Sequence, residues 1–347
     1  MTSGASSHTA DHPSQLEAAQ ALFAALRAHA PAYQERNVLC AVHGLLPVTL
    51  SGGITLLAVA LFWLPQPVGA AAAALLMLAG AIAFALELLG HDNPLRWMLP
   101  EQESTLAHAC WREASSPATI IVAAALRAFA SPPVPLPAWR WALGLSLGAQ
   151  LVLFALFAGG IIAPERALRT AALGVAVIPA LTGALAGVSA WQTQRASQHT
   201  TTAAAEVLIA LARQLAAEPP QRHAVCLVLS SAPACLLADV LAPEVSAVHA
   251  QLLLLEPSEA SAPALTVATQ TGWLRAQLSD LTLLTLARRV AESEPALALR
   301  FAPLPLPSVP SNSLAIQVSA PDAAASSSPA LIFTQRMVQA LDAMSNG

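Results

Sequence analysis

Charge is the property that this sequence has least of. Only 10% of its 347 residues are Asp, Glu, Lys or Arg, whereas an ordinary soluble protein has about 25%. Lysine is absent, so the 16 basic residues are all arginine, and the formal net charge is −4. We find no basic patch with interleaved aromatic residues, and a nucleic-acid partner is therefore not expected.

Motifs that carry chemistry are also scarce. The sequence has neither a phosphate-binding loop nor a Cys-x-x-Cys pair. Residues 1–13 contain no basic segment followed by an apolar one, so they lack the pattern of a signal peptide. The cysteines are scattered, and we predict that each is a small buried apolar residue rather than a metal ligand or a disulfide partner. They are Cys40, Cys110, Cys226 and Cys235.

Apolar residues are abundant. They make up 56% of the chain, with a mean hydropathy of +0.59, which indicates a membrane protein with a soluble part. Four runs reach the roughly 20 residues that cross a bilayer, and short connections join them into two predicted helical hairpins. Glu87 is the one ionisable residue in these runs, and we interpret it as reaching the interface from a helix end. The runs are 45–64, 68–89, 141–162 and 171–191.

The remaining segments predict a layered domain. Because each hairpin (42–90 and 141–191) returns to its starting side, the three soluble segments share one face of the membrane. Residues 1–41 are expected to be helical, residues 91–140 to supply two strands, and residues 192–347 to form the main part. Alternating strands and helices favour an α/β fold, here a three-layer sheet domain interrupted by two transmembrane hairpins, with four membrane helices. The expected strands are 105–111, 119–126, 224–229, 251–255, 265–269, 297–302 and 314–318.

The last segment resembles a known family. A helix is expected at 201–215, ended by Glu218-Pro-Pro220, before the strand 224–229. The stretches 202–220 and 222–229 that contain them are similar in type and spacing to a helix and a strand of the co-catalytic di-zinc aminopeptidases, a metallopeptidase clan that includes leucyl-aminopeptidase-like and glutamate-carboxypeptidase-like enzymes. The stretch Ser231-Ala-Pro-Ala-Cys-Leu-Leu-Ala-Asp239 falls on the family's Gly-Ala-Glu-Glu-Gly-Leu-Leu-Gly-Ser. The order of elements looks like that of membrane-embedded relatives whose peptidase domain is interrupted by transmembrane hairpins.

This resemblance implies positions for two zinc ions and a general base, and none of these positions holds the required residue here. Ala124 and Leu126 stand where the family has its first His-x-Asp ligands, and Thr200 stands where an Asp bridges both ions. Pro233 occupies the position of the general base, and Ala234 that of the next zinc ligand. Two zinc ions need about five His, Asp or Glu ligands. We therefore expect no catalytic residue, no bound metal and no other cofactor.

His199 and Glu256 are the weak alternatives for a rebuilt site. His199 is next to the bridging position, and Glu256 comes one or more residues after 253–255, where the family's next ligand would fall. The family's final histidine has no counterpart, since no histidine follows His249.

The leading interpretation is a catalytically inactive, membrane-embedded aminopeptidase-like protein that acts as a binding or scaffold module. Its expected partners are the lipid bilayer and either an active paralogue or a peptide. Two alternatives stay open: an active zinc-dependent hydrolase with a rebuilt site, and a small transporter with a regulatory domain, which the scarcity of polar residues in the spans disfavours. Arginines beside the soluble segments outnumber Arg166 and Arg169 on the opposite side. We expect a multi-pass protein of a bacterial cell membrane, and this distribution predicts that its soluble domain is cytoplasmic.

Overall fold

The central sheet has eight strands drawn from three separate segments of the chain. The structure is a computed structural model that describes all residues except 1–10, 42–44, 66, 90–93, 100, 112–118, 128–134, 164–165, 197–202, 234–240, 242–249, 259–264, 273–276, 305–309, 311, 320–327 and 345–347. The strands of the sheet are β1 (Ala32–Ala41), β2 (Glu101–Trp111), β3 (Thr119–Arg127), β4 (Ala224–Pro233), β5 (Gln251–Ser258), β6 (Thr266–Ala268), β9 (Arg300–Ala302) and β10 (Ser313–Ser319). A separate ribbon pairs β7 (Gln270–Thr271) with β8 (Gln277–Leu278).

The middle of the sheet is parallel, and antiparallel strands flank it. The spatial order is β1-β2-β4-β3-β5-β10-β6-β9. Parallel pairs join β4 to β3, β3 to β5, β5 to β10 and β6 to β9, whereas β2 is antiparallel to both β1 and β4, and β6 to β10. Strands buried on both faces have continuous apolar sequences, as residues 224–229 and 252–255 do. The mixed α/β sheet confirms the predicted class, and the strand expected at 119–126 lies between β4 and β5.

The helices of the described residues fall into two groups. Those of the soluble segments are α1 (Asp11–His29), α4 (Pro94–Trp97), α7 (Ala203–Ala217), α8 (Leu281–Ser293) and α9 (Pro329–Ala343). Those of the predicted hairpins are α2 (Leu46–Phe62), α3 (Val68–Leu88), α5 (Leu136–Ile162) and α6 (Arg166–Ala196). Asp280 is the N-cap of α8, where its side chain accepts a 2.8 Å hydrogen bond from the Leu283 N–H.

One face of the sheet packs on helices of the soluble segments. Alternate residues of β3 point to this face, namely Ile120, Val122, Ala124 and Leu126. They share one apolar core with buried residues of the helices that cover them: Leu26 in α1, Leu208 in α7, Ala287 in α8 and Phe333 in α9. This half of the domain is an ordinary helix-on-sheet layer.

The other face of the sheet packs directly on the ends of the hairpin helices. Ile121, Ala123 and Ala125 of β3 belong to a second core. Every hairpin helix contributes to it, with Val48 from α2, Phe84 from α3, Leu143 from α5 and Ala186 from α6. The third layer of the fold is therefore made by the helices that the sequence predicts to lie in the membrane.

The four hairpin helices form a closed ring in which α2 contacts α3 and α6, and α5 contacts the same two helices. α2 and α6 come close at Gly52 and Gly183, where a Cβ added to Gly52 would lie 3.1 Å from the Gly183 Cα. Glycines permit this kind of backbone approach between membrane helices. Inside this ring of helices, the aromatic rings of Phe62 and Phe157 have centroids 4.8 Å apart.

Three of these helices are long and apolar enough to cross a membrane: Val68–Leu88, Pro137–Ile162 and Arg166–Gln192. The fourth predicted span is a shorter apolar helix, α2, whose 17 residues extend about 25 Å. Prolines limit α2 at both ends, because Pro47 stands in its first turn and Pro65 follows its last residues. By length and composition, the described part of the chain has three candidate spans rather than the four predicted.

The segment 1–41, predicted to be helical, also contains a strand. β1 is an edge strand that pairs on one side only, with β2, and it includes Gln34, Glu35 and Arg36. Edge strands commonly carry charged side chains. Such a strand lacks the clean alternation of apolar and polar residues from which strands are predicted.

Cys110 and Cys226 form a disulfide, so the prediction that each cysteine is an unpaired buried residue is wrong for this pair. The two residues lie directly opposite each other in the antiparallel pair β2–β4, with their Cα atoms 4.2 Å apart. They are separated by 116 residues in sequence, and only the pairing of the strands brings them together.

Candidate functional site at the carboxyl edge of the sheet

Four parallel strands end at the same edge of the sheet. β3 ends at Arg127, β4 at Pro233, β5 at Ser258 and β10 at Ser319. In open α/β sheets, ligands bind outside the carboxyl ends of the strands, and the family resemblance implies its metal ligands at these strand ends. Of the predicted positions, the structure describes Ala124, Leu126 and Pro233, and all three lie near this edge.

Ala124 and Leu126, predicted at the first ligand positions, lie in the apolar core. Ala124 is paired with Leu229 of β4 on one side and with Leu255 of β5 on the other. Ala124, Leu229 and Leu255 are fully buried, and Leu126 is 1% exposed. All four side chains belong to the core under α7 and its neighbouring helices. These positions contribute to packing and have no atom that coordinates a metal.

A bulge distorts β4 where the predicted general-base position lies. Ala125 pairs with Ser230, whereas Arg127 pairs with Pro233, so the register shifts by one residue. Within the bulge, the Ser231 Oγ accepts a 2.9 Å hydrogen bond from the Thr105 N–H of β2. Bulges are common beside functional sites, where they redirect side chains. Sequence analysis missed this one, although Pro233 stands at its end and a proline within a strand often marks a bulge.

Glu256 places a carboxylate at this edge, but on the other face of the sheet. It is 5% exposed and lies opposite Gln317 of β10. Neighbouring residues of a strand point to opposite faces. Leu255 joins the core under α7, so Glu256 points towards the face that packs on the hairpin helices. Glu256 and the predicted ligand positions Ala124 and Leu126 therefore lie on opposite faces.

Three predicted positions lie outside the described residues: His199, Thr200 and Ala234. Within the part of the chain that the structure describes, no three His, Cys, Asp or Glu side chains lie together in a group that could hold a metal ion. Ala124, Leu126 and Pro233 offer no side-chain donor, and Glu256 offers one carboxylate. This donor set does not fit a two-zinc centre, which needs about five ligands.

The sequence Gly-Leu-Ser-Leu-Gly at 144–148 has the letters of a serine-nucleophile elbow. The elbow works on a strained turn from a strand into a helix. Here the five residues lie inside α5, and Ser146 is buried. The match is one of letters and does not extend to the required geometry.

A second set of polar groups lies inside the helical ring. The Gln150 Nε2 of α5 donates a 2.6 Å hydrogen bond to the Ser51 Oγ of α2, and both residues are buried. The Thr55 and Thr182 hydroxyls donate to carbonyls of their own helices at 3.0 and 2.9 Å. Hydrogen bonds between helices hold membrane bundles together, and the bond from Gln150 to Ser51 joins the two hairpins.

Comparison with known proteins gives similarity to solved structures only. No family model and no curated protein matches the chain. A Zn-dependent exopeptidase from Parabacteroides distasonis is similar with a TM-score of 0.40 and 9% identity, over 96% of this chain and 90% of that one. A Fimbriiglobus ruber glutaminyl cyclase is similar with a TM-score of 0.40 and 12% identity, over 96% of this chain and 88% of that one. An Acidobacteriales bacterium glutaminyl cyclase has a TM-score of 0.34 and 13% identity, over 86% of this chain and 95% of that one. Similarity at this level does not carry function.

Proposed function

We propose that the chain is a catalytically inactive, membrane-embedded aminopeptidase-like protein that acts as a binding or scaffold module. The observation that carries this proposal is the burial of Ala124 and Leu126 in the apolar core between β4 and β5. The resemblance assigns metal ligands to these two positions. Without Lewis-acid metals, a water molecule loses its lowered pKa, and without a carboxylate at Pro233 no group stands in the implied position to take its proton.

The direct test is hydrolysis of aminoacyl reporter substrates by the full chain in lipid nanodiscs, with and without added zinc. We expect no release above the buffer rate. Release that a chelator abolishes would overturn the proposal.

An active hydrolase with a rebuilt site is the second candidate, and one observation favours it. Glu256 is a buried carboxylate at the edge where such sheets bind ligands, and buried ionisable groups concentrate at functional sites. In this candidate, chelator-sensitive hydrolysis is present and Glu256→Gln removes it, while Gln317→Glu in the neighbouring strand does not.

We propose that all four hairpin helices lie in the bilayer, with lipid as the first partner. The outer surface of the ring supports this, since large apolar side chains of all four helices are exposed on it, among them Leu57, Leu75, Leu151 and Leu181. At the end of the ring away from the sheet, the Arg169 guanidinium lies 5.6 Å from the centre of the Trp63 ring, a pair suited to an interface. The protein partner would be a peptide or an active paralogue.

Two observations favour opposite orientations of the sheet domain. The arginine excess beside the soluble segments predicts the cytoplasm, but long segments are translocated largely regardless of their charge, and the rule applies best to short loops. Arg166 and Arg169 stand in such a short connection. Disulfides persist in oxidising compartments, and Cys110–Cys226 is one. We propose that the sheet domain faces the oxidising side. Reporter fusions at both termini that are active only in the cytoplasm would restore the orientation predicted from arginine.

A further inference from the structure

The Cys110–Cys226 disulfide lies on the face of the sheet that packs on the hairpin helices. Neighbouring residues of a strand point to opposite faces. Leu227 belongs to the core under α7, whereas Cys226 packs against the second core. The disulfide is near the amino end of β4, which begins at Ala224. The hairpins leave the sheet at the opposite edge, because β1 and β3 run in the same direction as β4 and are followed by α2 and α5.

Both cysteines are partly exposed, although their strands lie inside the sheet. β2 pairs with β1 and β4, and β4 pairs with β2 and β3, so neighbouring strands flank both main chains on either side. The exposed area of Cys110 and Cys226 is therefore mainly side-chain area, and solvent reaches the disulfide. The residues directly beside the cysteines are all buried, namely Ala109, Trp111, Val225 and Leu227.

The two strands stay paired without the disulfide bond. Their antiparallel register joins residues 106–111 of β2 to residues 225–230 of β4, and the Cys110 and Cys226 Cα atoms lie 4.2 Å apart within it. Main-chain hydrogen bonds hold such a register, so cleavage of the S–S bond leaves the two sulfur atoms facing each other. The dithiol form is therefore positioned to form the bond again.

We propose that Cys110–Cys226 is a thiol–disulfide exchange site that accepts two electrons from a dithiol. Exposed disulfides are the ones that exchange, whereas structural disulfides resist reduction by the glutathione pool. The inference goes beyond the proposed function, because it concerns neither the carboxyl edge nor a metal. Its failure would leave the proposed loss of catalysis untouched, since hydrolysis and zinc content report on the other end of the sheet.

The exchange runs in two balanced steps. A thiolate of the incoming dithiol attacks one sulfur of the Cys110–Cys226 bond. This bond breaks, a mixed disulfide forms, and the electron pair leaves on the other cysteine, which takes a proton from water. The second thiolate of the reagent then attacks its own sulfur in the mixed disulfide and releases the remaining cysteine, which is also protonated. The chain gains two electrons and two protons, and the dithiol becomes a disulfide.

The test follows the full chain in nanodiscs after Cys40→Ser and Cys235→Ser, which leave Cys110 and Cys226 as its only cysteines. The chain is equilibrated with mixtures of reduced and oxidised glutathione, in which two glutathione molecules act as the dithiol. Free thiols are alkylated and counted by mass spectrometry. We expect the pair to pass from oxidised to reduced across these mixtures while tryptophan fluorescence stays native. Its reduction by dithiothreitol should be within about ten-fold of the rate in the denatured chain, since access sets the rate.

A buried pair on the same strands is the matched control. Ala109 and Leu227 lie directly opposite each other and are fully buried on the other face. Ala109→Cys with Leu227→Cys, made together with Cys110→Ala and Cys226→Ala, should stay oxidised in the same mixtures.

Three results would overturn the proposal. The Cys110–Cys226 pair could stay in one redox state in every glutathione mixture, it could be reduced only when the fluorescence shows unfolding, or the buried control pair could be reduced as readily. If the control pair does not form, the glutathione mixtures and the comparison with the denatured chain decide the question.

Discussion

The two ends of the sheet differ in where polar groups are placed. At the carboxyl edge, the positions that the resemblance assigns to metal ligands hold Ala124 and Leu126, which are buried in the apolar core. At the amino end of β4, Asp342 accepts hydrogen bonds from the backbone N–H groups of Gln221, Arg222 and His223 beside a pocket. One sheet thus has an edge built for packing and an end built with polar contacts. A residue that aligns with a ligand position need not be a ligand.

The largest expected effect comes from placing a charge at the carboxyl edge. Leu126→Asp should destabilise the protein by about 3–5 kcal/mol, because it buries an unpaired carboxylate in the core. Leu126→Met keeps the volume and should cost less than about 1.5 kcal/mol. Both are measured as the free energy of unfolding in detergent. If Leu126→Asp behaves like Leu126→Met, this edge is an open site rather than a packed core.

The disulfide near the amino end of β4 should have the next largest effect. Cys110→Ser combined with Cys226→Ser should lower the free energy of unfolding by about 2–4 kcal/mol, since the bond restricts the unfolded chain. A reductant should lower the stability of wild type by a similar amount and leave the double variant unchanged. Equal stability of wild type with and without reductant would mean that the two cysteines are not joined in the protein as isolated.

Asp342→Asn should have a smaller, pH-dependent effect. Partial burial alone would raise the pKa of Asp342, but hydrogen bonds from the backbone N–H groups of Gln221, His223 and Arg222 outweigh it and hold this pKa below its ordinary value. The carboxylate therefore contributes stability above the unfolded pKa of about 3.9, and that stability is lost as the pH falls through the lower folded value.

We expect Asp342→Asn to lose about 1–2 kcal/mol at neutral pH, a modest figure because the side chain is partly open to solvent. The difference between wild type and the variant should shrink as the pH is lowered below 3.9 or so. It is measured by unfolding at a series of pH values. A difference that does not change with pH would show that the carboxylate charge has no role.

The last variant, Pro233→Glu, is expected to leave hydrolytic activity unchanged. Pro233→Glu restores the implied general base alone, and it should give no hydrolysis of aminoacyl substrates, because Ala124 and Leu126 still provide no metal ligands. Hydrolysis by this variant that depends on added zinc would mean that a metal site exists near β4, and hydrolysis without zinc would mean that Glu at position 233 acts without a metal. Either result would show that the carboxyl edge is more than a packed core.

The parts of the fold that follow strong apolar patterns were predictable from sequence. Residues 224–229 and 252–255 are uninterrupted apolar runs, and both belong to strands at the centre of the sheet. β1 escaped prediction because it is a polar edge strand. The length of α2 is set by Pro47 and Pro65, which a count of apolar residues does not consider.

The candidate site was predictable only as a set of positions. The sequence assigns Ala124 and Leu126 to strand ends, but their common core with Leu229 and Leu255 depends on the order of the strands. The disulfide and the Asp342 contacts join residues more than 100 positions apart. Such contacts arise from tertiary packing and leave no local signal. The packing of one sheet face on the hairpin helices was likewise beyond reach of periodicity.

We propose that the carboxyl edge of this sheet is a packed core that holds no metal centre. The most direct measurement is the zinc content of the full chain, purified in nanodiscs, equilibrated with zinc and freed of unbound metal, by elemental mass spectrometry. We expect no stoichiometric zinc, in wild type and in Glu256→Gln alike. Two zinc ions per chain, or one that Glu256→Gln removes, would contradict it.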